Sequence, residues 1–498
     1  MKKINKLLNN KYILWCLVFL YGSLITIFMY YPTFSLDGYC QMSSPYNEYA
    51  FNFFVSGRFI TALIWMFFDV INMPYDVLSV LAHLVSISIL SMTVIKLYMS
   101  IKENIADELM LKIIALLGSI LVFFNPFTQG ILVFEESFCI AIAIYIATTT
   151  ALKLADDISK KNIRKAIVLM VCTNFLYQGA ICYFLPIVFL KSILNNKNKK
   201  FISYLKENYK HIFIYLLVFG ASSVIAFLSL QIYVELTPHQ FSTKVGKISL
   251  ITNLSIILSL IKKTDQTMFS MINPIIFRST YYILSSLIIT RVVINLKKDY
   301  SKLIYVTGIC LLAVLSPFIP NIVMKTSQNY TAPRLLLPYG GLIGFLLIGA
   351  LLLYEKREKK LNRFFYLLML IPGIYFFINC STMTFYNSHN DYLRYKSDVE
   401  YINVIKNEIA NYEKQTKNKI NIVYFTIKDI ERPNYRSKYY NINHIRVCSS
   451  TWGMKCAIRG FIDREYRIRE LREEKYQQMI ENGKNIDFDK NRIYIIFK

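Results

Sequence analysis

The apolar residues of this chain fall into repeated runs of about 18 to 22, each long enough to cross the hydrocarbon core of a bilayer as a helix. In hydrocarbon every backbone N–H and C=O must be satisfied within the protein, which a helix does for each run by itself. The chain has 498 residues, 54% hydrophobic and 18% charged. A soluble globular protein carries about a quarter charged residues. These features define a polytopic α-helical membrane protein, with the lipid bilayer as its first partner.

The net charge of +25, from 57 Lys+Arg against 32 Asp+Glu, could suggest nucleic acid. The basic residues instead cluster between apolar runs, as the positive-inside rule requires, and no nucleic-acid partner is expected. Lys2, Lys3, Lys6 and Lys11 precede the first run, which places the N-terminus in the cytoplasm and the following loop outside. Residues 1–20 resemble a signal peptide but lack a small-x-small cleavage site, so they read as a retained first helix. The runs predict about 11 transmembrane helices, near 12–31, 77–97, 112–125, 131–152, 165–178, 180–194, 211–232, 281–296, 303–322, 334–354 and 363–382. Residues 58–72 read as an interfacial helix, and 248–280, apolar but interrupted, as a surface segment. With this count the loops "NNKNKK" and "YEKREKKLNR" fall on the cytoplasmic side and the C-terminal tail outside.

Residues 1–384 thus form a transmembrane domain. Residues 385–498 are charged, with strand-like runs "KINIVYFTI" and "RIYIIF", and predict a small soluble α/β domain, extracytoplasmic by parity. Cys448 and Cys456, eight apart, could there form a disulfide or remain two thiols. Cys16, Cys139, Cys172 and Cys310 lie in apolar runs and read as small core residues.

Sorting polar residues by side brings many to one outer face. Asp37, Glu48 and Arg58 lie in the first outer loop, and Glu135 and Glu136 at the outer start of the fourth run. Tyr177 and Gln178 cap a hairpin. His239, Lys244 and Lys247 lie in a later loop, Lys325 and Arg334 flank "TSQNYTAP", and "NSHND" spans 387–391. An ionised glutamate within apolar sequence costs roughly 2.5–3.5 kcal/mol at the membrane centre, so Glu135 and Glu136 call for a cavity or a partner.

Acids and cations on one membrane face suit sugar transfer from a phosphate-linked lipid. The acceptor hydroxyl needs a base, and the leaving phosphate needs cations. Arg58 and Arg334, with Lys325, are candidates for the phosphate, arginine offering a two-pronged contact that lysine lacks. Tyr39, Tyr46, Tyr49 and Tyr177 could stack on a sugar or belong to the interfacial aromatic belt. His239 and His389 lack zinc-ligand spacing. A divalent cation held by Asp37 with Glu135 or Glu136 stays open. With no phosphate-binding or dinucleotide loop, no nucleotide cofactor is expected.

The Asp of "SLDGY", the "GR" opening a helix, the "NP" turn with acids just after it and the "YQG" of the hairpin resemble the phage-type bacterial glucosyltransferases that decorate O-antigen, membrane enzymes of the GT-C type. The likeness at motif level covers residues 35–59, 124–137 and 174–180. It implies a GT-C-like fold in the bacterial inner membrane, a polyprenyl-phosphate glucose donor and a surface polysaccharide acceptor on the extracytoplasmic side. It also implies Asp37 as catalytic base, Glu135 and Glu136 assisting at the acceptor or a metal, and Arg58 near the donor phosphate; Tyr39, Tyr177 and Gln178 are the candidates for contact with the substrate. A repeat-unit polymerase resembles such enzymes and is an alternative. A lipid-linked saccharide flippase or transporter is another, although no halves repeat.

Overall fold

A computed structural model describes residues 2–31, 33–34, 36–237, 255, 257, 259, 273–294, 300–319, 333–356, 358–426, 451–461 and 466–496. The expected surface segment 248–280 lies largely outside these residues, as do His239, Lys244, Lys247, Lys325 and Cys448.

The described helices are, in order, α1 (Lys2–Asn9), α2 (Lys11–Ile25), α3 (Leu36–Met42), α4 (Tyr46–Phe54), α5 (Phe59–Val70), α6 (Tyr75–Lys102) and α7 (Leu109–Phe123). They continue as α8 (Pro126–Leu132), α9 (Ser137–Asp156), α10 (Lys160–Leu176), α11 (Phe184–Asn195), α12 (Phe201–Leu236), α13 (Pro274–Ile294) and α14 (Ser301–Leu315). The last are α15 (Leu337–Gly340), α16 (Leu342–Ala350), α17 (Lys359–Thr416), α18 (Thr451–Phe461) and α19 (Glu473–Glu481). Among the described residues, eight helical segments are long and apolar enough to cross a membrane, and Lys11–Ile25, Phe59–Val70 and Leu342–Leu353 are apolar but shorter. The protein is a multi-pass helical membrane protein.

Local chemistry sets several boundaries. The Asn10 side chain caps α2 by accepting from the Tyr12 and Ile13 amides, which frees the apolar run from the basic α1. Asn125 caps α8 through the Phe127 amide, with Pro126 at the first helical position, where its missing N–H costs nothing. This cap inserts a short helix where the fourth span was expected from 131, and the long helix begins only at Ser137. The expected span 334–354 is likewise broken at Gly341, between α15 and α16. A Cβ on Gly344 would stand 2.5 Å from the Gly118 carbonyl oxygen, so the two glycines let α7 and α16 meet backbone to backbone. Helix α12 is exposed along most of its length, with Leu216, Val224 and Leu228 facing outward, as a lipid-facing helix should be. Cys16 also faces outward, a departure from the core position expected of it, whereas Cys139 and Cys310 are buried.

One end of the bundle is tied by buried cations. Lys112 reaches Asp107, Asn5 and Asn9, Lys191 lies 3.3 Å from Asp156 and 3.7 Å from Glu103, and Arg291 contacts Asn362 and Glu358. The opposite end carries the first loop, the turn before α9 and the C-terminal residues. Helix α17 runs unbroken through residue 385, past Pro372, to Thr416 and carries the chain from the bundle into the terminal domain.

That domain has a four-stranded sheet of β1 (Ile422–Thr426), β2 (Arg467–Glu470), β3 (Ile486–Asp489) and β4 (Arg492–Ile496), in the order β2-β1-β4-β3. Strands β2, β1 and β4 are parallel and β3 is antiparallel to β4. Its core is Ile402, Ile405, Val423, Phe425, Ile458 and Ile493, completed by Phe34 and Tyr39 from the first loop. A disulfide joins Cys40 to Cys456, 416 residues apart. The pairing considered for Cys456 with Cys448 is therefore corrected: its partner is in the first loop. Packing and disulfide together put the first loop and the terminal domain on the same side of the bundle.

Candidate functional site

The site forms where α3, α4 and α5 fold over the turn between α8 and α9. Helices α4 and α5 meet in a tight reversal whose Gly57 has φ +74°, a left-handed conformation that glycine takes without steric cost. A Cβ there would stand 3.2 Å from Nε2 of Gln178. Gln178 donates to the Ser56 carbonyl at 2.7 Å, and Thr61 donates to the Leu176 carbonyl at 2.9 Å. The end of α10 thus fixes the turn that presents Arg58, and Gln178 serves that backbone.

Arg58 reaches Glu136, with Nη1 3.4 Å from Oε1, a long contact for a hydrogen bond. Its guanidinium lies 4.8 Å from the centre of the Tyr177 ring. The other Glu136 oxygen accepts from Nε2 of Gln41 at 3.3 Å, and Oε1 of the same Gln41 side chain accepts from the Tyr75 hydroxyl at 2.9 Å. The Tyr177 hydroxyl donates to the Arg334 carbonyl at 3.1 Å, and the Arg334 guanidinium stands 4.6 Å from the Phe134 ring centre. Five residues singled out in the sequence, Arg58, Glu136, Tyr177, Gln178 and Arg334, therefore meet in one place.

Glu135 turns the other way. It is 2% exposed and packs on Gly38, where a Cβ would lie 2.6 Å from its Oε1. Only glycine admits a carboxylate so close to the α3 backbone, one position from Asp37. Asp37 is in α3, but its side chain lies outside the described residues. Among the described residues no three His, Cys, Asp or Glu side chains group as metal ligands.

The remaining candidates are spread more widely. Tyr39 is fully buried, its ring 5.7 Å from Phe34 and 6.5 Å from Tyr395, so it fills the core of the terminal domain and offers no open face to a sugar. Glu48 is exposed in α4. Tyr46 donates to the Met73 carbonyl at 2.8 Å, and Tyr49 packs on Phe53. His389 lies against Phe28, 4.4 Å between ring centres.

Sequence reasoning passed over Gln41 and Tyr75, which hold Glu136, and the buried Arg394 of α17, although it had placed its partner Asp391, in "NSHND", on the outer face. Arg394 is 3.4 Å from Asp391 and donates to the Phe34 carbonyl at 3.0 Å, fastening the last long helix to the stretch before Asp37. The i,i+3 spacing of Asp391 and Arg394 was a usable signal. Gln41 and Tyr75 carried none.

Fold and site together define a multi-pass helical membrane protein with a buried acid–arginine constellation at one end of its bundle. Compared with known protein families, curated proteins and solved structures, the chain matches none.

Proposed function

We propose that this protein is an integral membrane glycosyltransferase, with about eleven spans in a GT-C-like arrangement, that moves a sugar, glucose by preference, from a polyprenyl-phosphate donor to a surface polysaccharide. The site would face the extracytoplasmic side of a bacterial inner membrane. One observation carries the reading: Glu136 and Arg58 are brought together beside Tyr177 while Glu135 lies against Gly38, next to Asp37. Acid and cation then sit where a lipid phosphate and an aqueous acceptor could meet.

In this scheme the acceptor hydroxyl oxygen bonds to the anomeric carbon. The bond from that carbon to the phosphate oxygen breaks, and the lipid phosphate leaves with the electron pair. Asp37 takes the hydroxyl proton, a role worth roughly 10²–10⁴ in rate. Glu135, packed on Gly38, backs the helix that carries Asp37. Arg58, held by Glu136 and by the Tyr177 ring, receives the developing phosphate charge, with Arg334 on the neighbouring loop. The Cys40–Cys456 bond favours the extracytoplasmic side, since disulfides persist in oxidising compartments.

The test is transfer of radiolabelled glucose from polyprenyl-phosphate glucose in membranes containing the protein or its Asp37→Asn variant. Label should reach a surface polymer with the parent and fall at least about 100-fold with the variant. Wild-type turnover by Asp37→Asn would remove Asp37 as base. Consumption of lipid-linked repeat units alone would replace the reading with a polymerase.

A further inference from the structure

The terminal domain has a cleft of about 730 Å³ at the start of its parallel strands, lined by Asn421, Lys455, Arg459, Tyr466, Arg467 and Arg469, with Ile422, Ile468 and Asn491 completing the wall. Lys455 and Arg459 are one turn apart on α18, with Cβ atoms about 5–6 Å apart. Arg467 and Arg469 alternate on β2, which puts them on one face of the strand about 7 Å apart. Two cation pairs thus face a common space, and among the described residues no acid lines it. None of the four cations makes an ion pair with a described residue.

Charged side chains also protect an edge strand from pairing with another chain, and β2 is such an edge. Edge protection accounts for Arg467 and Arg469. It does not account for Lys455 and Arg459, which come from a helix into the same cleft. Like charges gathered this way repel, an arrangement that an anionic ligand relieves.

We propose that this cleft binds an anionic glycan, a polymer bearing carboxylate or phosphate groups, and that it is the acceptor-holding site of the transferase inferred above, on which reading the acceptor role rests. Paired arginine forks match carboxylate and phosphate oxygens, and the exposed amides of Asn421 and Asn491 can meet sugar hydroxyls. A lipid-surface site would carry exposed apolar side chains for insertion. The exposed large apolar residues of the described β-sheet domain include Ile480, which is not in the cleft. The cleft is also joined to the candidate site. Cys456, next to Lys455, is bonded to Cys40, and Gly460, next to Arg459, packs on Met42 of α3 so closely that a Cβ would collide with it. A glycan held by α18 would lie against the helix that carries Asp37.

The full-length protein in zwitterionic nanodiscs should bind polygalacturonate, a carboxylated glycan, more tightly than neutral dextran of the same length, and added salt should weaken that binding. The double variant Arg459→Gln/Arg469→Gln should weaken it about tenfold or more while the Cys40–Cys456 bond still forms. Equal binding of the two polymers, or a variant that binds polygalacturonate like the parent, overturns the proposal. So does a dependence on these arginines seen only with phosphatidylglycerol vesicles, which would make the cleft a lipid contact. Polygalacturonate binding that needs the arginines in a protein transferring no sugar would remove the transferase and the acceptor role, and leave the anion site standing.

Discussion

Nη1 of Arg58 stands 3.4 Å from Oε1 of Glu136, so one ion pair closes the turn before α5 onto the turn before α9. Both side chains are largely removed from solvent, and each has further support, Arg58 from the Tyr177 ring and Glu136 from Gln41. Deleting either partner leaves the other's charge partly buried, which costs more than the pair contributes. Arg58→Ala and Glu136→Ala should each destabilise the detergent-solubilised protein, and the double variant by less than their sum. Thermal unfolding of the four proteins should give a coupling of about 1–2 kcal/mol. Additive effects would mean the contact carries no energy.

Arg58→Lys keeps the charge and loses the planar fork that spans Glu136 and the Tyr177 face. Under the proposed chemistry it should lower sugar transfer about tenfold or more with little change in melting temperature. A lysine variant with full transfer would show that only a point charge is needed.

Tyr39 is a packing residue of the terminal domain. Tyr39→Ala should cost about 3–5 kcal/mol, as aromatic-to-alanine changes in cores do, and should expose the terminal domain to protease. Tyr39→Phe should be tolerated in protease resistance and in transfer. A Tyr39→Phe protein that stayed protease-resistant yet lost transfer would instead give the hydroxyl a role at the site.

Asp487 gives the terminal domain a dependence on acid. Partial burial alone would raise its carboxyl pKa. The hydrogen bonds from Lys475 and Lys484 outweigh burial and hold it below the usual carboxylate range. A carboxyl whose folded value is depressed adds stability that is complete above its unfolded value, near 3.9. That stability is lost as pH falls from there through the folded value. The domain should thus lose stability below about pH 4, and Asp487→Asn should flatten that part of the profile. An unchanged acid limb in the variant would place the effect elsewhere.

Much of the bundle was legible in sequence because lipid imposes a local rule, one satisfied helix for each apolar run. Where a cap or glycine intervened, as at Asn125 or Gly341, the run stayed visible and its boundary moved. Arg58, Glu136, Tyr177 and Arg334 could be grouped because membrane topology sorts residues by side before any contact is known. The sorting could not separate Glu135 from Glu136, since adjacent residues in a turn point apart according to its geometry. Nor could it place Tyr39, whose burial depends on Ile402, Val423 and Ile458, hundreds of positions later. The partner of Cys456 was hidden for the same reason, since spacing measures proximity only along the chain.

The Cys40–Cys456 bond also sets an order on making the protein. Cys40 leaves the ribosome 416 residues before Cys456, so the loop that carries Asp37 waits for the whole helical bundle to be made before it is covalently closed. Cys448, eight residues before Cys456 in sequence, emerges first and is an available wrong partner. If the bond forms outside the cell, the first loop crosses the membrane early and stays there as a free thiol through the insertion of every later helix. Completion of the site would then follow the insertion of every helix between the two cysteines, and a chain cut short before α18 would be inserted in the membrane with its first loop unlatched.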